Sequence, residues 1–235
     1  TLPRQGIETR FADKDDFAGI EALIDDRTKV LYCESIGNPS GSVVDIKRLA
    51  DIAHAAGIPL VVDNTVATPF LWRPIEQGAD IVVHSATKYM GGHGTTMGGV
   101  IVDSGTFPWA DQPKRFALLN EPDVSYHGVS YTRDVGEAAF ITRARVVPLR
   151  NMGAVLSAQA AWNLLQGLET LALRIERVCE NTQKIAEYLQ QHPRVSWVNY
   201  AGLPNHKDHA LAQKYMKGKA SGILSFGIEG GREAG

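Results

Sequence analysis

Short apolar runs that each close on a polar cluster or a turn constrain this chain more than any other feature. Residues 29–33 (Lys-Val-Leu-Tyr-Cys), Ile58–Val62, Ile81–Val83 and Val100–Val102 are each about one strand long. The runs from Ile58 onward are apolar at consecutive positions, the pattern of strands buried on both faces. Between the first two, Ile46, Leu49, Ala50 and Ala53 recur at helical spacing, which predicts a helix from about Asp45 to Ala56. Asp45 suits its N-cap and Gly57 the position just past its end. A shorter helical stretch covers 73–77. Strand, helix, strand, helix, strand in this form predicts an α/β fold with a mostly parallel sheet and helices on both faces. Ligands of such sheets bind beyond the carboxyl ends of the strands. Three polar clusters occupy those ends, Glu34–Asn38, Asp63–Thr65 and Ser85–Lys88, so they are expected to converge in space.

Beyond the fourth run, residues 104–134 have weak periodicity and read as a long excursion. Helix returns over 137–145, 154–165 and 168–190. The last carries an apolar stripe of Leu168, Leu171, Ile175, Val178, Ile185 and Leu189, with Thr182 on the same line, and Pro193 ends it. Residues 195–200 and 223–228 read as strands of a smaller α+β unit. The border is placed near Gly167, giving a large domain over 1–166 and part of a small one over 167–235. Thr1 in place of Met, and the unfinished run Gly230–Gly235, suggest a piece of a longer polypeptide or one half of a split protein. The opening Thr1–Gln5 has no apolar targeting core.

Composition narrows the function classes. A net charge of −2 over 235 residues offers no basic field for nucleic acid or an anionic membrane. The apolar runs are far short of the roughly 20 residues that a spanning helix needs. Cys33 and Cys179 form no C-x-x-C pattern, which argues against a cysteine-built metal site and fits a reducing cytoplasm.

Asp63 ends a buried strand, where a carboxylate needs a donor or cation beside it. The protonated ring nitrogen of a pyridine cofactor is one such partner. Lys88 also follows a buried strand, and a lysine in apolar surroundings can serve as a nucleophile or Schiff-base former. Ser85 and Thr87 flank it with hydroxyls suited to a phosphate ester. Asn38, on the third strand-end loop, can donate to a phenolic oxygen. Together they match pyridoxal phosphate group by group. Taken singly, each has a plainer reading: Asp63 as a turn residue, Lys88 as a solvated surface residue. The Gly91–Thr96 stretch lacks the Gly-Lys-Ser/Thr of a P-loop. His84, His93 and Asp63 match no common metal-ligand spacing, so no metal is assigned.

Val61-Val62-Asp63-Asn64-Thr65, followed by Val82-Val83-His84-Ser85-Ala86-Thr87-Lys88-Tyr89, resembles the signature of the Cys/Met-metabolism family of pyridoxal-phosphate enzymes, as does the Asp-to-Lys separation of 25. Glu34-Ser35-x-x-Asn38-Pro39 and Gly167-Leu168-Glu169-Thr170-Leu171 are similar to further family motifs, and the likeness runs over essentially the whole chain. The resemblance implies the type I, aspartate-aminotransferase-like fold. It implies that Lys88 bonds the cofactor's aldehyde carbon, Asp63 pairs with the pyridine nitrogen, Ser85 and Thr87 hold phosphate, and Asn38 lies near the phenolic oxygen. Within the family, Gly91–Gly105 and the long excursion are most similar to the O-acetylhomoserine sulfhydrylases, cytoplasmic transferases of methionine biosynthesis. The implied reaction is γ-replacement on O-acetyl-L-homoserine by sulfide or methanethiol. Cystathionine γ-synthase and the methionine or cystathionine γ-lyases are the alternatives within the family. A truncated, non-catalytic module is the alternative outside enzymes. Family members are longer, so the ring-stacking tyrosine, further phosphate contacts and the arginine for the substrate carboxylate fall outside this sequence; Arg232 does not match that arginine's motif. The resemblance also implies homotetramers with shared sites, or a complementary chain that supplies the absent segments.

Overall fold

The computed structural model describes residues 2–230; Thr1 and the terminal Gly231–Gly235, Arg232 among them, lie outside the described residues. A first short helix, α1 (Phe17–Ala22), starts where the Asp16 carboxylate accepts the Gly19 N–H at 2.9 Å. The next, α2 (Ile46–Ala55), begins at Asp45 as the spacing predicts, its carboxylate accepting from Arg48 N–H at 3.4 Å. Its apolar face, Ile46, Leu49, Ala50 and Ala53, is buried throughout.

The apolar runs form one sheet in the order β1 (Leu31–Glu34), β2 (Leu60–Asp63), β3 (Ile81–Ser85), β4 (Gly99–Asp103). The first three are parallel, with Glu34 opposite Asp63 and Asp63 opposite Val83. Strand β4 runs antiparallel to β3. Only a crossover, usually helical, returns a chain parallel to itself, and the glycine-rich segment 86–98 doubles back instead. Leu60, Val62 and Val82 point to the α2 side, into the main core. Val61, Ile81 and Val83 face the opposite way, against Phe107, Trp109 and Tyr131. The excursion is therefore packed rather than loose. Trp109 meets Phe116 edge-on at 4.9 Å and stacks on Phe140 at 5.6 Å. Helix α3 (Ala139–Ala144) follows the excursion and runs on through a wide π-type turn around Pro148.

Two helices follow, α4 (Ala158–Glu169) and α5 (Leu171–Gln190), joined at Thr170. Helix α4 starts later than its expected 154, because Gly153 takes a left-handed conformation and Ser157 Oγ caps the new helix from Ala160 N–H at 3.1 Å. The buried line on α5 is Leu171, Ile175, Cys179, Thr182 and Ala186. Ile185, expected inside, is 51% exposed: a true 3.6-residue period drifts one position from the line drawn through 178 and 185. Strands β5 (Val195–Asn199) and β6 (Ser225–Ile228) pair antiparallel. Between them lies α6 (His209–Met216), which the sequence reading did not anticipate.

One buried cluster runs from Ile58, Leu60 and Val62 through Ile175 to Leu203 and Met216. The second unit therefore shares its core with the first. Tyr215 of α6 stacks on Trp72 at 4.5 Å and hydrogen-bonds the Asp45 cap. Asp208, 3% exposed, accepts Val43 N–H at 3.0 Å and the Lys14 ammonium at 2.9 Å.

Asp80 ties the sheet to α2. Its Oδ2 accepts Leu60 N–H at 2.8 Å and contacts His54 Nε2 at 2.8 Å. Asp80→Ala leaves the Leu60 N–H buried without an acceptor. The expected cost is about 1–3 kcal/mol, seen as a lower urea midpoint at unchanged slope.

Candidate active site at the carboxyl ends of the strands

Because β1, β2 and β3 are parallel and in register, the three polar clusters emerge side by side, as expected. The ladder continues one step past the strands: Ser35 N–H donates to Asp63 O and Asn64 N–H to Val83 O, both at 2.9 Å. Asp63 is half-buried. Its Oδ1 accepts Thr65 N–H at 2.9 Å, a local turn that Asp-x-Thr favours, and Oδ2 lies 3.4 Å from the Tyr32 hydroxyl. Burial, with the Asp63 charge added, pushes the Tyr32 phenol up to about 12. The phenol therefore stays protonated at neutral pH and can donate to Asp63.

Thr65 also works in the other direction, its Oγ1 accepting Ser85 N–H at 2.8 Å. One threonine thus locks the end of β2 to the end of β3. In the sequence Thr65 is only the last member of the Asp63–Thr65 cluster; its place in the Asp-Asn-Thr turn is the signal for this role. Ser85 lies two residues beyond Val83, the partner of Asp63, so strand alternation puts both on one face of the sheet. Thr87 is already engaged. Its Oγ1 accepts Gly98 N–H at 3.0 Å and donates to Gly98 O at 3.3 Å, near the outer limit for such a bond. Donating to a ligand costs Thr87 only that weak bond.

Lys88 sits in the turn after β3, its N–H donating to Ser85 O at 3.1 Å. The sequence reading places it in apolar surroundings. The structure instead leaves Lys88 exposed, because the turn over 86–90 carries it out past the end of the buried strand. Asn38 is exposed on the loop after β1, where its N–H donates to Glu34 Oε2 at 3.2 Å.

Behind this face, Ser35, Asn64 and His84 occupy one row across the three strands, on the α2 side. Ser35 Oγ, Asn64 Oδ1 and His84 Nδ1 are buried and unpaired among the described residues. Asn64 is oriented by its Nδ2, which donates to Trp72 O at 2.7 Å and Thr68 O at 3.2 Å. Burial pushes the His84 imidazole down from its usual range, so it is neutral at pH 7. An apolar groove of about 700 Å³ opens on the same face of the sheet as Asp63, lined by Val61, Ile81 and Val83 and reaching Lys29, Val30 and Pro59 at the amino ends of β1 and β2. Among the described residues no group of three or more His, Cys, Asp or Glu is placed to hold a metal ion, and no helix is long and apolar enough to cross a membrane. The arrangement offers an amine, a carboxylate and hydroxyls at one end of a sheet: a nucleophile suited to an aldehyde, an acceptor for a protonated ring nitrogen and donors for a phosphate.

A family model described as Cys/Met metabolism PLP-dependent enzyme matches residues 1–235. Homocysteine synthase of Schizosaccharomyces pombe is 52% identical over 232 residues, 98% of this chain and 54% of that protein. O-acetyl-L-homoserine sulfhydrylase 1 of Thermus thermophilus is 48% identical over 236 residues, 100% of this chain and 56% of that protein. A crystal structure from Campylobacter jejuni, described as an O-acetylhomoserine (thiol)-lyase with a pyridoxyl-lysine monophosphate residue, superposes with a TM-score of 0.90 at 42% identity. The match covers 97% of this chain and 57% of that one. The chain spans about half the length of the curated relatives it matches.

The two cysteines are not nucleophiles of this site. Burial pushes the Cys33 thiol up to about 12 and that of Cys179 up to about 11. Ellman's reagent at pH 8 is expected to react with the folded protein roughly a hundredfold or more slowly than with the urea-unfolded chain. Both pKa values are raised on folding, so the unfolded chain loses these protons first, and stability is expected to fall as pH rises from about 9 toward about 12.

Proposed function

The chain belongs to the Cys/Met metabolism family of PLP-dependent enzymes, and from that premise we propose that it carries the cofactor-bearing part of an O-acetylhomoserine sulfhydrylase. The reaction replaces the γ-acetoxy group of O-acetyl-L-homoserine with sulfide or methanethiol, giving homocysteine or methionine and acetate. One observation carries this reading: Asp63 and the Ser85–Lys88 turn stand at the carboxyl ends of two hydrogen-bonded parallel strands. The names of the relatives support the choice of substrate, and the pyridoxyl-lysine of the Campylobacter structure supports the cofactor.

When bound, pyridoxal phosphate supplies an electron sink for charge that develops at the substrate Cα. Lys88 would hold the cofactor through its aldehyde carbon, and its Nζ, once released by the substrate amine, would be the base that takes and returns the Cα proton. Asp63, its Oδ1 held by Thr65 N–H, would accept a hydrogen bond from the ring nitrogen and favour its protonated form. Ser85 and Thr87 donate to the phosphate, and Asn38 to the phenolic oxygen. Residues 1–166 act as the cofactor-binding domain and 167–235 as part of the small one. The arginine for the substrate carboxylate comes from sequence outside this chain, and the sites are shared in a homo-oligomer. Two free cysteines support a reducing compartment such as the cytoplasm.

A second reading draws on the half-length coverage: a non-catalytic module that folds and binds the cofactor without turnover. Assaying O-acetylhomoserine with sulfide, with and without the segments that the relatives add, separates the two. Borohydride reduction followed by peptide mass analysis is expected to place a pyridoxyl group on Lys88. Lys88→Ala is expected to lose both that label and turnover; full activity in this variant would refute the reading. Asp63→Ala should still take up cofactor, with kcat reduced by roughly a hundredfold or more.

A further inference from the structure

The motif Gly167–Leu171 and the glycines after Lys88 have no part in the chemistry above, yet the fold brings them into direct contact. Gly167 lies in the last turn of α4. A Cβ there would stand 2.3 Å from Gly91 O and 2.6 Å from Met90 O, so only glycine lets the helix meet the backbone of the lysine-bearing segment. Arg174, in the first turn of α5, spans this contact. Its Nη1 donates to Tyr89 O at 2.7 Å, and its Nη2 donates to Gly167 O at 2.7 Å and Met90 O at 3.4 Å. Its Nε donates to Thr170 Oγ1 at 3.1 Å, which aims the planar fork. Gly92, at φ 75°, leaves the space that the guanidinium fills: a Cβ there would lie 2.6 Å from Cζ.

Two of these acceptors are carbonyls of the turn that carries Lys88. The third belongs to the end of α4, where carbonyls lack helical partners and a cation is favoured. The turn has bonds of its own, Lys88 N–H to Ser85 O at 3.1 Å, Thr87 N–H to Gly98 O at 3.2 Å, and Gly91 N–H to Ala86 O and Gly92 N–H to Lys88 O, both at 2.8 Å, but none of these reaches the Tyr89 or Met90 carbonyl. Those two carbonyls are bonded by Arg174, through charge-assisted hydrogen bonds that tie the turn to a different element.

We propose that Arg174 is a positioning residue for Lys88, clamping the lysine turn to the α4–α5 junction. The proposal rests on the reading of Lys88 as the cofactor-bearing lysine. Through this clamp the long helix α5, which leads into the second unit, sets where the Lys88 backbone stands. A lysine in place of Arg174 reaches one carbonyl group but cannot bridge two segments.

The test uses Arg174→Met, Arg174→Lys and, as control, Arg177→Met on the exposed side of the same helix, each in the protein's complete natural sequence. Amide hydrogen exchange at Gly91 and Gly92 is expected to quicken by about tenfold or more in Arg174→Met, less in Arg174→Lys, and not in Arg177→Met. The pH midpoint of the visible band of the Lys88-bound cofactor is expected to shift in the same order. Catalytic turnover should fall by about tenfold or more with KM for the amino-acid substrate nearly unchanged. Wild-type exchange and an unshifted midpoint in Arg174→Met would overturn the clamp. If Arg174→Met does not fold, the same result in Arg174→Lys would overturn it. A wild-type protein that borohydride leaves unlabelled at Lys88 would sink the enzymatic reading alone, and exchange at Gly91 and Gly92 would still decide the clamp.

Discussion

Everything at the candidate site depends on the parallel register of β1, β2 and β3. Parallel strands deliver all their carboxyl ends to one side, and the pairing of Glu34 with Asp63 and Asp63 with Val83 sets those ends level. A one-residue slip of β2 would turn Asp63 to the α2 face and Asn64 to the site. The register is held from both sides of the sheet. Leu60, Val62 and Val82 are committed to one core, and Val61, Ile81 and Val83 to another.

Polar groups past the strand ends carry that order further. Thr65 bonds the Asp63 carboxylate with its N–H and the Ser85 N–H with its hydroxyl, so two residues far apart in sequence share one support. On the reverse face, Ser35, Asn64 and His84 form a row whose unpaired atoms lie inside the protein. Buried polar groups are costly where nothing bonds them, and three of them stand side by side behind Asp63 and Ser85. The neutral His84 adds no charge beneath Asp63.

Much of this was legible in the sequence, for physical reasons. Buried strands read as apolar runs, Asp45 reads as a cap, and polar residues that end such runs read as a site. The Asp-to-Lys pattern carried the family. What was not legible depends on contacts across long separations. Arg174 meets Tyr89 and Met90 more than eighty positions away, and nothing in its local sequence distinguishes it from Arg177. Helix α6 was missed because it spans only 209–216. The stripe on α5 slipped by one position because Val178 and Ile185 are apolar while Cys179 and Ala186 are small, so bulk drew the line where burial does not. The exposure of Lys88 follows from the turn after β3, not from the run before it.

The shared core has an evolutionary corollary. Asp208, Tyr215 and Trp72 seat the second unit against Val43 and Asp45, next to the loop that bears Asn38. Val43 pairs with Ile36 at the base of that loop, so a substitution that resettles this seam also moves the backbone that carries Asn38. Mutational change at these few side chains is therefore felt in two places at once, in the cohesion of the fold and in the posture of a loop beside the strand ends.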